Sequence, residues 1–188
     1  MLGVSNLGKR YGPRWLFRNL EFELEKGDCL VVLGENGSGK STLLKVLIGL
    51  LEPTEGKVRA QSKVGYSALD LAVYPALTAR EHLELSGDLR HIPADADSLL
   101  AKVGLTKAAN QMAQEFSTGM RARLKIAIAL QAKPEVLILD EPGAGLDEIG
   151  RNLISEVVAD QLKVGAVVLA TNDPNERRFA SFELEIKS

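Results

Sequence analysis

The sequence predicts an α/β protein: a parallel sheet flanked by helices, with an antiparallel β portion near the N-terminus and an inserted block of helices. Three observations predict it. The runs 30–33, 136–139 and 167–170 are uninterrupted, apolar and rich in β-branched residues, the pattern of parallel strands covered on both faces. Leu20, Phe22 and Leu24 alternate with Glu21, Glu23 and Glu25, as in a half-exposed antiparallel strand. Strands concentrate at the two ends of the chain, and residues from about 75 to 133 read mostly as helix. An insertion explains that order better than two consecutive domains. One domain is therefore expected over 1–188, with its core in 1–74 and 134–188 and a helical subdomain at about 75–133.

The remaining elements have local reasons. Helices are expected at 40–50, 78–89, 95–103, 118–132 and 148–163. The second opens on Thr78-Ala79-Arg80-Glu81, a capping-box pattern. The fourth ends before Pro134, which cannot continue a helix. Residues 182–187 alternate again, with Phe182, Leu184 and Ile186 expected to face inward, and would close the sheet as an edge strand.

A chain of 188 residues holds one substantial core. Its 45% hydrophobic and 26% charged content is that of a soluble globular protein. No run approaches the ~20 apolar residues of a membrane span. The stretch Met1 to Asn6 lacks the basic and apolar regions of a secretory leader, and Cys29 is the single cysteine, so a reducing cytosol is expected. Cys29 lies among strand residues and reads as a buried structural thiol. A net charge of −2 argues against nucleic acid as the main partner. Lys9, Arg10, Arg14 and Arg18 read as a solvated basic face.

The most informative run is Gly34-Glu35-Asn36-Gly37-Ser38-Gly39-Lys40-Ser41-Thr42. It follows the apolar run Leu30 to Leu33 and opens into Leu43-Leu44-Lys45-Val46-Leu47, the strand, glycine loop and helix order of a phosphate-binding P-loop. The fold expected is thus that of a P-loop NTPase, a RecA-like parallel sheet flanked by helices. The glycines let successive backbone N–H groups point into one concavity, a nest for oxyanions. The helix N-terminus adds positive partial charge. Lys40 can reach the β- and γ-phosphates, and the Ser41 hydroxyl can hold Mg²⁺. ATP and Mg²⁺ are the cofactors expected.

A second run, Val136-Leu137-Ile138-Leu139-Asp140-Glu141-Pro142, puts two carboxylates at the C-terminal end of a buried strand, where open α/β sheets bind ligands. Asp140 is placed to support the Mg²⁺ shell as a Walker B aspartate does. Glu141 is the candidate general base for the attacking water. A third run, Phe116-Ser117-Thr118-Gly119-Met120-Arg121, is by itself a helix N-cap and physically a second anion site.

The order of P-loop, Ser-x-Gly at a helix start, Leu-Asp-Glu-Pro and Gly145-Leu146-Asp147 resembles an ATP-binding-cassette (ABC) ATPase over nearly the whole chain. The resemblance implies that two such proteins pack head-to-tail, as a homodimer or with a related ATPase. Each nucleotide would lie between one P-loop and the partner's Ser-x-Gly, here Ser117 and Gly119. Tyr11 resembles the aromatic that stacks on adenine, and Asp147 the aspartate that communicates across the dimer. Gly143, Ala144 and Gly145 give that loop small residues for close approach.

Two positions depart from the family pattern. The family's glutamine after the strand near 64–66 aligns with Leu69, which cannot coordinate a metal; Asp70 or Ser67 could substitute after a loop shift. The family's γ-phosphate histidine aligns with Asn172, whose amide donates a hydrogen bond but does not become a cation near neutral pH. His82 and His91 lie in the helical part and are expected to face solvent. Lys40, Ser41, Asp140 and Glu141 remain, so slow but real hydrolysis is expected.

Lys40 and Asp140 are too close in sequence for an intervening coiled coil, and the chain carries one cassette, so a transporter subunit fits best. Its partner would be a membrane-spanning permease, placing the chain peripherally on the cytoplasmic face of the inner or plasma membrane. The permease would dock at the helical region and at 67–77, where Leu71, Val73, Tyr74, Pro75 and Leu77 offer apolar contact. The run Tyr74 to Leu83 resembles compact haem-exporter subunits of cytochrome c maturation, while Ser-x-Gly-Met-Arg is also similar to drug and polysaccharide exporters. Export is the expected direction; a regulatory or DNA-repair ATPase of the same family is the alternative.

Overall fold

The computed structural model describes residues 1–60, 63–93 and 95–187. In chain order its strands are β1 (Leu2–Tyr11), β2 (Arg14–Leu24), β3 (Cys29–Leu33), β4 (Glu55–Ala60), β5 (Val64–Ser67), β6 (Val136–Asp140), β7 (Ala166–Ala170) and β8 (Phe182–Glu185). The longer helices are α1 (Lys40–Leu47), α2 (Ala79–Arg90), α3 (Ala96–Lys102), α4 (Thr118–Leu130) and α5 (Glu148–Val164), and α6 (Pro174–Arg177) is a single turn.

The three apolar runs become β3, β6 and β7 of a five-stranded sheet in the order β5-β6-β7-β3-β8, with every neighbouring pair parallel. Every residue of β6 and β7 is buried, which is why both read as unbroken apolar runs. Alternate residues serve opposite faces. Leu30, Val32, Val136, Ile138 and Val168 pack with Leu43, Leu44 and Leu47 of α1 and Leu2, Val4 and Leu7 of β1. Val31, Leu137, Leu139, Val167 and Leu169 pack with Leu83, Leu100 and Leu124 of the helical block and with Val157 of α5. The helices between β5 and β6 thus share a core with one face of the sheet. Cys29 is fully buried at the start of β3, and burial pushes its thiol up to about 12.

A smaller antiparallel sheet has the order β2-β1-β4. The alternation at 20–25 is the end of β2, which begins earlier than the pattern suggests. β1 and β4 carry little sequence signal for a physical reason. β1 changes register between Val4 and Leu7, so its buried residues Leu2, Val4 and Leu7 fall out of a strict period of two. β4 offers one large apolar residue, Val58, and pairs it with Val4.

Two expectations fail. Phe182 does not face inward: β8 is an edge strand paired only through β3, and Phe182 is 51% exposed while Ile186 beyond it is buried. His82 does not face solvent: it is 4% exposed in the first turn of α2. The Tyr74 N–H donates to His82 Nε2 at 2.9 Å, and Nδ1 lies 2.7 Å from the Thr78 carbonyl oxygen. Nε2 therefore accepts, Nδ1–H donates, and both ring nitrogens are satisfied in the neutral form. The imidazole ties the loop before α2 to its first turn, a use that the helix pattern does not reveal. The capping box at Thr78 and Glu81 forms as read, and His91 is exposed.

Candidate active site

β3 delivers the chain at Leu33 and α1 takes it up at Lys40, so the glycine loop is pinned at both ends. Gly34, Gly37 and Gly39 have φ of 150°, 82° and 114°, values that side-chain-bearing residues rarely adopt. The Ser38 N–H donates to the Glu35 carbonyl at 3.1 Å, which curls the loop. Gly39 supplies no capping side chain, and no acid stands in the first turn of α1. The helix N-terminus therefore keeps its positive potential for an incoming anion. The Ser38 hydroxyl is buried without a partner at the same place, a polar group that an oxyanion would satisfy.

The loop forms one wall of a cleft of about 240 Å³ that is also lined by Leu16, Asp140 and Glu141. Lys40 is 6% exposed, and its ammonium donates to the Gly34 carbonyl at 2.6 Å, with Glu141 Oε1 3.6 Å away. The Asn172 amide donates to the same Gly34 carbonyl at 3.1 Å. Gly34, Lys40, Glu141 and Asn172, read from three places in the sequence, are thus joined in one chain of contacts. Glu141 follows β6 with a φ of 48°, and its N–H donates to the Ala170 carbonyl at 2.8 Å, so β7 fixes where its side chain starts.

Asp140 closes β6 and is 7% exposed. Burial raises its pKa, the Ser41 hydroxyl opposes that by hydrogen bonding, the Asp70 charge adds to it, and Lys40 and Lys45 oppose it. Asp140 Oδ1 is buried with no hydrogen-bond partner. An orphaned carboxylate oxygen beside a serine hydroxyl is an all-oxygen donor set that suits a small hard dication. The donor set therefore fits Mg²⁺. At the position of the missing glutamine, the Leu69 side chain stands 52% exposed. Its carbonyl accepts from Lys125 of α4 at 2.6 Å, and the adjacent Asp70 pairs with Lys45 of α1 at 2.6 Å. Asp70, rather than the buried Ser67, is the group that brings charge toward Asp140 from this segment.

Ser117, Gly119, Asp147 and Tyr11 do not line this cleft. Ser117 caps α4 by accepting from the Met120 N–H at 3.2 Å, and Asp147 caps α5 by accepting from the Gly150 N–H at 2.8 Å. The two caps are neighbours, because a Cβ on Gly119 would stand 3.3 Å from Leu146. Tyr11 ends β1, 54% exposed, with the Lys9 ammonium 5.3 Å from its ring centre. Two residues, one in the cleft and one beside the loop that leaves it, carry no sequence signal. Leu16 looks like one strand residue among several, yet it packs 3.2 Å from where a Gly39 Cβ would be. Glu176 sits in a polar run, Asn175-Glu176-Arg177-Arg178, yet is 6% exposed.

A cation, a metal-suited oxygen pair and a second carboxylate around a glycine nest can grip a polyphosphate and activate water. Comparisons with known proteins agree. The family model described as ABC transporter matches residues 17–144. The linearmycin resistance ATP-binding protein of Bacillus subtilis (strain 168) is 36% identical over 92% of this chain, which spans 61% of that protein. The lantibiotic transport ATP-binding protein of Streptococcus pyogenes is 33% identical over 92% of this chain and 80% of its own length. A solved ATP-binding cassette, a dimeric post-hydrolysis state bound to ADP and Pi, superposes with a TM-score of 0.90 at 26% identity, covering 100% of this chain and 94% of that one. The chain therefore belongs to the ABC transporter family, as an ATPase domain of the P-loop fold.

Proposed function

We propose that this chain binds ATP with Mg²⁺ at the P-loop, hydrolyses it between two head-to-tail copies or with a related ATPase, and drives a membrane permease that exports its substrate. The observation that carries the reading is the convergence of Lys40, Asp140 and Glu141 on the glycine nest, with Asp140 Oδ1 left unpartnered.

Gly34 to Thr42 wrap the phosphates with backbone N–H groups. Lys40 moves from the Gly34 carbonyl to the β- and γ-phosphates, a short swing for a flexible stem. Ser41 and Asp140 hold Mg²⁺, which when bound neutralises charge on the phosphate oxygens. Glu141 takes a proton from water as the water oxygen bonds to the γ-phosphorus. The bond from that phosphorus to the bridging β,γ-oxygen breaks, and the electron pair leaves with ADP. Asn172, whose amide donates to the Gly34 carbonyl, would turn that amide to the γ-phosphate. Tyr11 offers its exposed face to adenine. Ser117, Gly119 and Asp147, clustered away from the cleft, would meet the nucleotide of the opposite copy.

No helix among the described residues is long and apolar enough to cross a membrane, so coupling to transport needs a separate spanning protein or segment. Tyr74 and Pro75 are exposed beside Leu71, and that surface suits a helix from the permease at the cytoplasmic face. The names of the relatives, for linearmycin resistance and lantibiotic transport, fit export without stating a direction, and neither of them names haem.

The test is Glu141→Gln. Turnover should fall ~10²–10⁴-fold, the range of a lost general base, while ATP affinity is kept and an ATP-dependent dimer accumulates. Turnover at the parental rate removes Glu141 as the base. Hydrolysis stimulated by DNA in a salt-dependent way, and not by any co-purifying membrane protein, would replace transport with the repair-type alternative.

A further inference from the structure

Glu176 is a buried acid that the steps above leave unused. It lies on α6, four residues after Asn172, and is 6% exposed. A Cβ on Gly143 would stand 2.5 Å from Glu176 Oε1, so the carboxylate rests directly on the Gly143 backbone. Gly143 does not have a positive φ. A methyl at 143 would have to displace the Glu176 carboxylate, so glycine there leaves room for that side chain rather than supplying a backbone shape. The Gly143 N–H and the Thr171 hydroxyl are the hydrogen-bonding groups that Glu176 meets, whereas Asp173 and Glu141 face it with like charge. Oε2 is buried without a partner. The Thr171 hydroxyl in turn accepts from the Asp173 N–H at 2.9 Å, which shapes the turn that carries Asn172.

Two loops therefore meet at this side chain. One runs from Glu141 through Gly143 to Asp147. The other runs from Thr171 through Asn172 to α6, and its Asn172 amide reaches the Gly34 carbonyl of the phosphate loop. Burying an acid among like charges is unfavourable unless something over-determines it. The hydrogen bonds from the Thr171 hydroxyl and the Gly143 N–H are what oppose that cost.

We infer that Glu176 is a positioning residue for hydrolysis: its carboxylate clamps the Gly143 backbone and so sets the path from Glu141 to Asp147 relative to Asn172. The inference rests on Glu141 acting as the base. A base displaced by about 1 Å can lose ~10²-fold in rate while the phosphate grip is untouched.

The test is a mutant cycle on the full chain, read as kcat and as ATP affinity by equilibrium titration. Glu176→Ala should lower kcat about tenfold or more and leave ATP affinity within about twofold. Glu176→Gln keeps the shape and an accepting oxygen, so it should return kcat to within about threefold of the parent. Gly143→Ala should lower kcat in the parent yet add less than about twofold to Glu176→Ala, because the missing carboxylate leaves space for the methyl. Parental kcat in Glu176→Ala, or effects of the two substitutions that simply multiply, overturns the clamp. If Glu176→Ala does not fold, a tenfold loss in Glu176→Gln or parental kcat in Gly143→Ala does the same. Hydrogen exchange at amides 143–147 reads the clamp without turnover: it should quicken in Glu176→Ala, and unchanged exchange overturns the inference. Failure of the underlying reading looks different, with Glu141→Gln turning over at the parental rate, and the exchange measurement then still decides the clamp.

Discussion

The phosphate-loop side and the Ser117–Asp147 side of this molecule are built in opposite ways. On the first, the cation is buried and answered within the chain: Lys40, 6% exposed, bonds the Gly34 carbonyl and faces Glu141. On the second, Ser117 and Asp147 are exposed and use their side chains to cap their own helices. The first is a half-site that, on the function proposed above, would grip phosphate alone. The second has the small residues and helix start of an anion site but no wall opposite, and a second molecule would supply one. The contrast predicts that substitutions on the two sides fail in different assays.

The largest effect belongs to Lys40. Lys40→Ala removes the one ammonium in the cleft and should weaken ATP binding by the isolated chain ~10²-fold, the loss of a charge-assisted contact of about 3 kcal/mol. Equilibrium titration checks it, and parental affinity would break the comparison on its first side. Next comes Ser117→Arg, tested in the Glu141→Gln background. ATP affinity of the monomer should stay within about twofold, since Ser117 lies outside the cleft, while ATP-driven dimerisation is lost through the bulk added at the proposed contact. Size exclusion with and without ATP reads this. A dimer that survives Arg at this position would remove the head-to-tail arrangement.

How legible each side was follows from the same contrast. The phosphate loop, β6 with its two acids, and the central strands are contiguous runs whose chemistry is local, so spacing alone placed Lys40, Asp140 and Glu141 at one sheet edge. The five longer helices were legible too, their ends within a few residues, because caps such as Thr78 with Glu81 are local. What escaped does not follow from the local patterns. β1 was hidden by its register shifts. His82 was misjudged because its partner, the Tyr74 N–H, comes from a loop rather than from the helix pattern. Glu176 lies in a polar run that looks solvated, and only the packing of Gly143 against it shows otherwise.

A smaller effect concerns Asp140, whose charge is buried with one oxygen unanswered. Its folded-state pKa is raised above the ordinary 3.8, chiefly by burial. In the window that opens at the ordinary value and closes at the raised one, the folded chain keeps a proton that the unfolded chain has lost. Stability from this group is therefore fully present below that window and falls as pH rises through it. Asp140→Asn removes the cost, so the nucleotide-free variant should melt a few degrees higher than the parent at pH 7, with the gap closing toward pH 4. It should also lose the extra thermal stabilisation that Mg²⁺ adds to ATP in the parent. A variant that melts lower than the parent at pH 7, or keeps the full Mg²⁺ response, would contradict this account of the orphaned oxygen.

The smallest effect expected is at Asn172, and it tests whether the phosphate-loop side is tuned down. The amide donates to Gly34 at 3.1 Å as a neutral group. A histidine there would donate as a cation when protonated, and a hydrogen bond to a charged partner gains about 1 kcal/mol more when the donor is also charged, or about fivefold in rate. Asn172→His should therefore raise kcat about fivefold near pH 6, with the gain fading by pH 8 as an imidazole of ordinary pKa, ~6.5, loses its proton. The pH-dependent part of that gain matters more than its size. The parent presents no group at 172 that titrates between pH 5 and 8, so a profile that rises toward acid only in the variant identifies the contact as one made to the reacting phosphate. A uniform change at all pH values would instead mean that residue 172 acts by shaping the Gly34 loop, and the amide would then belong to the frame of the site rather than to its chemistry.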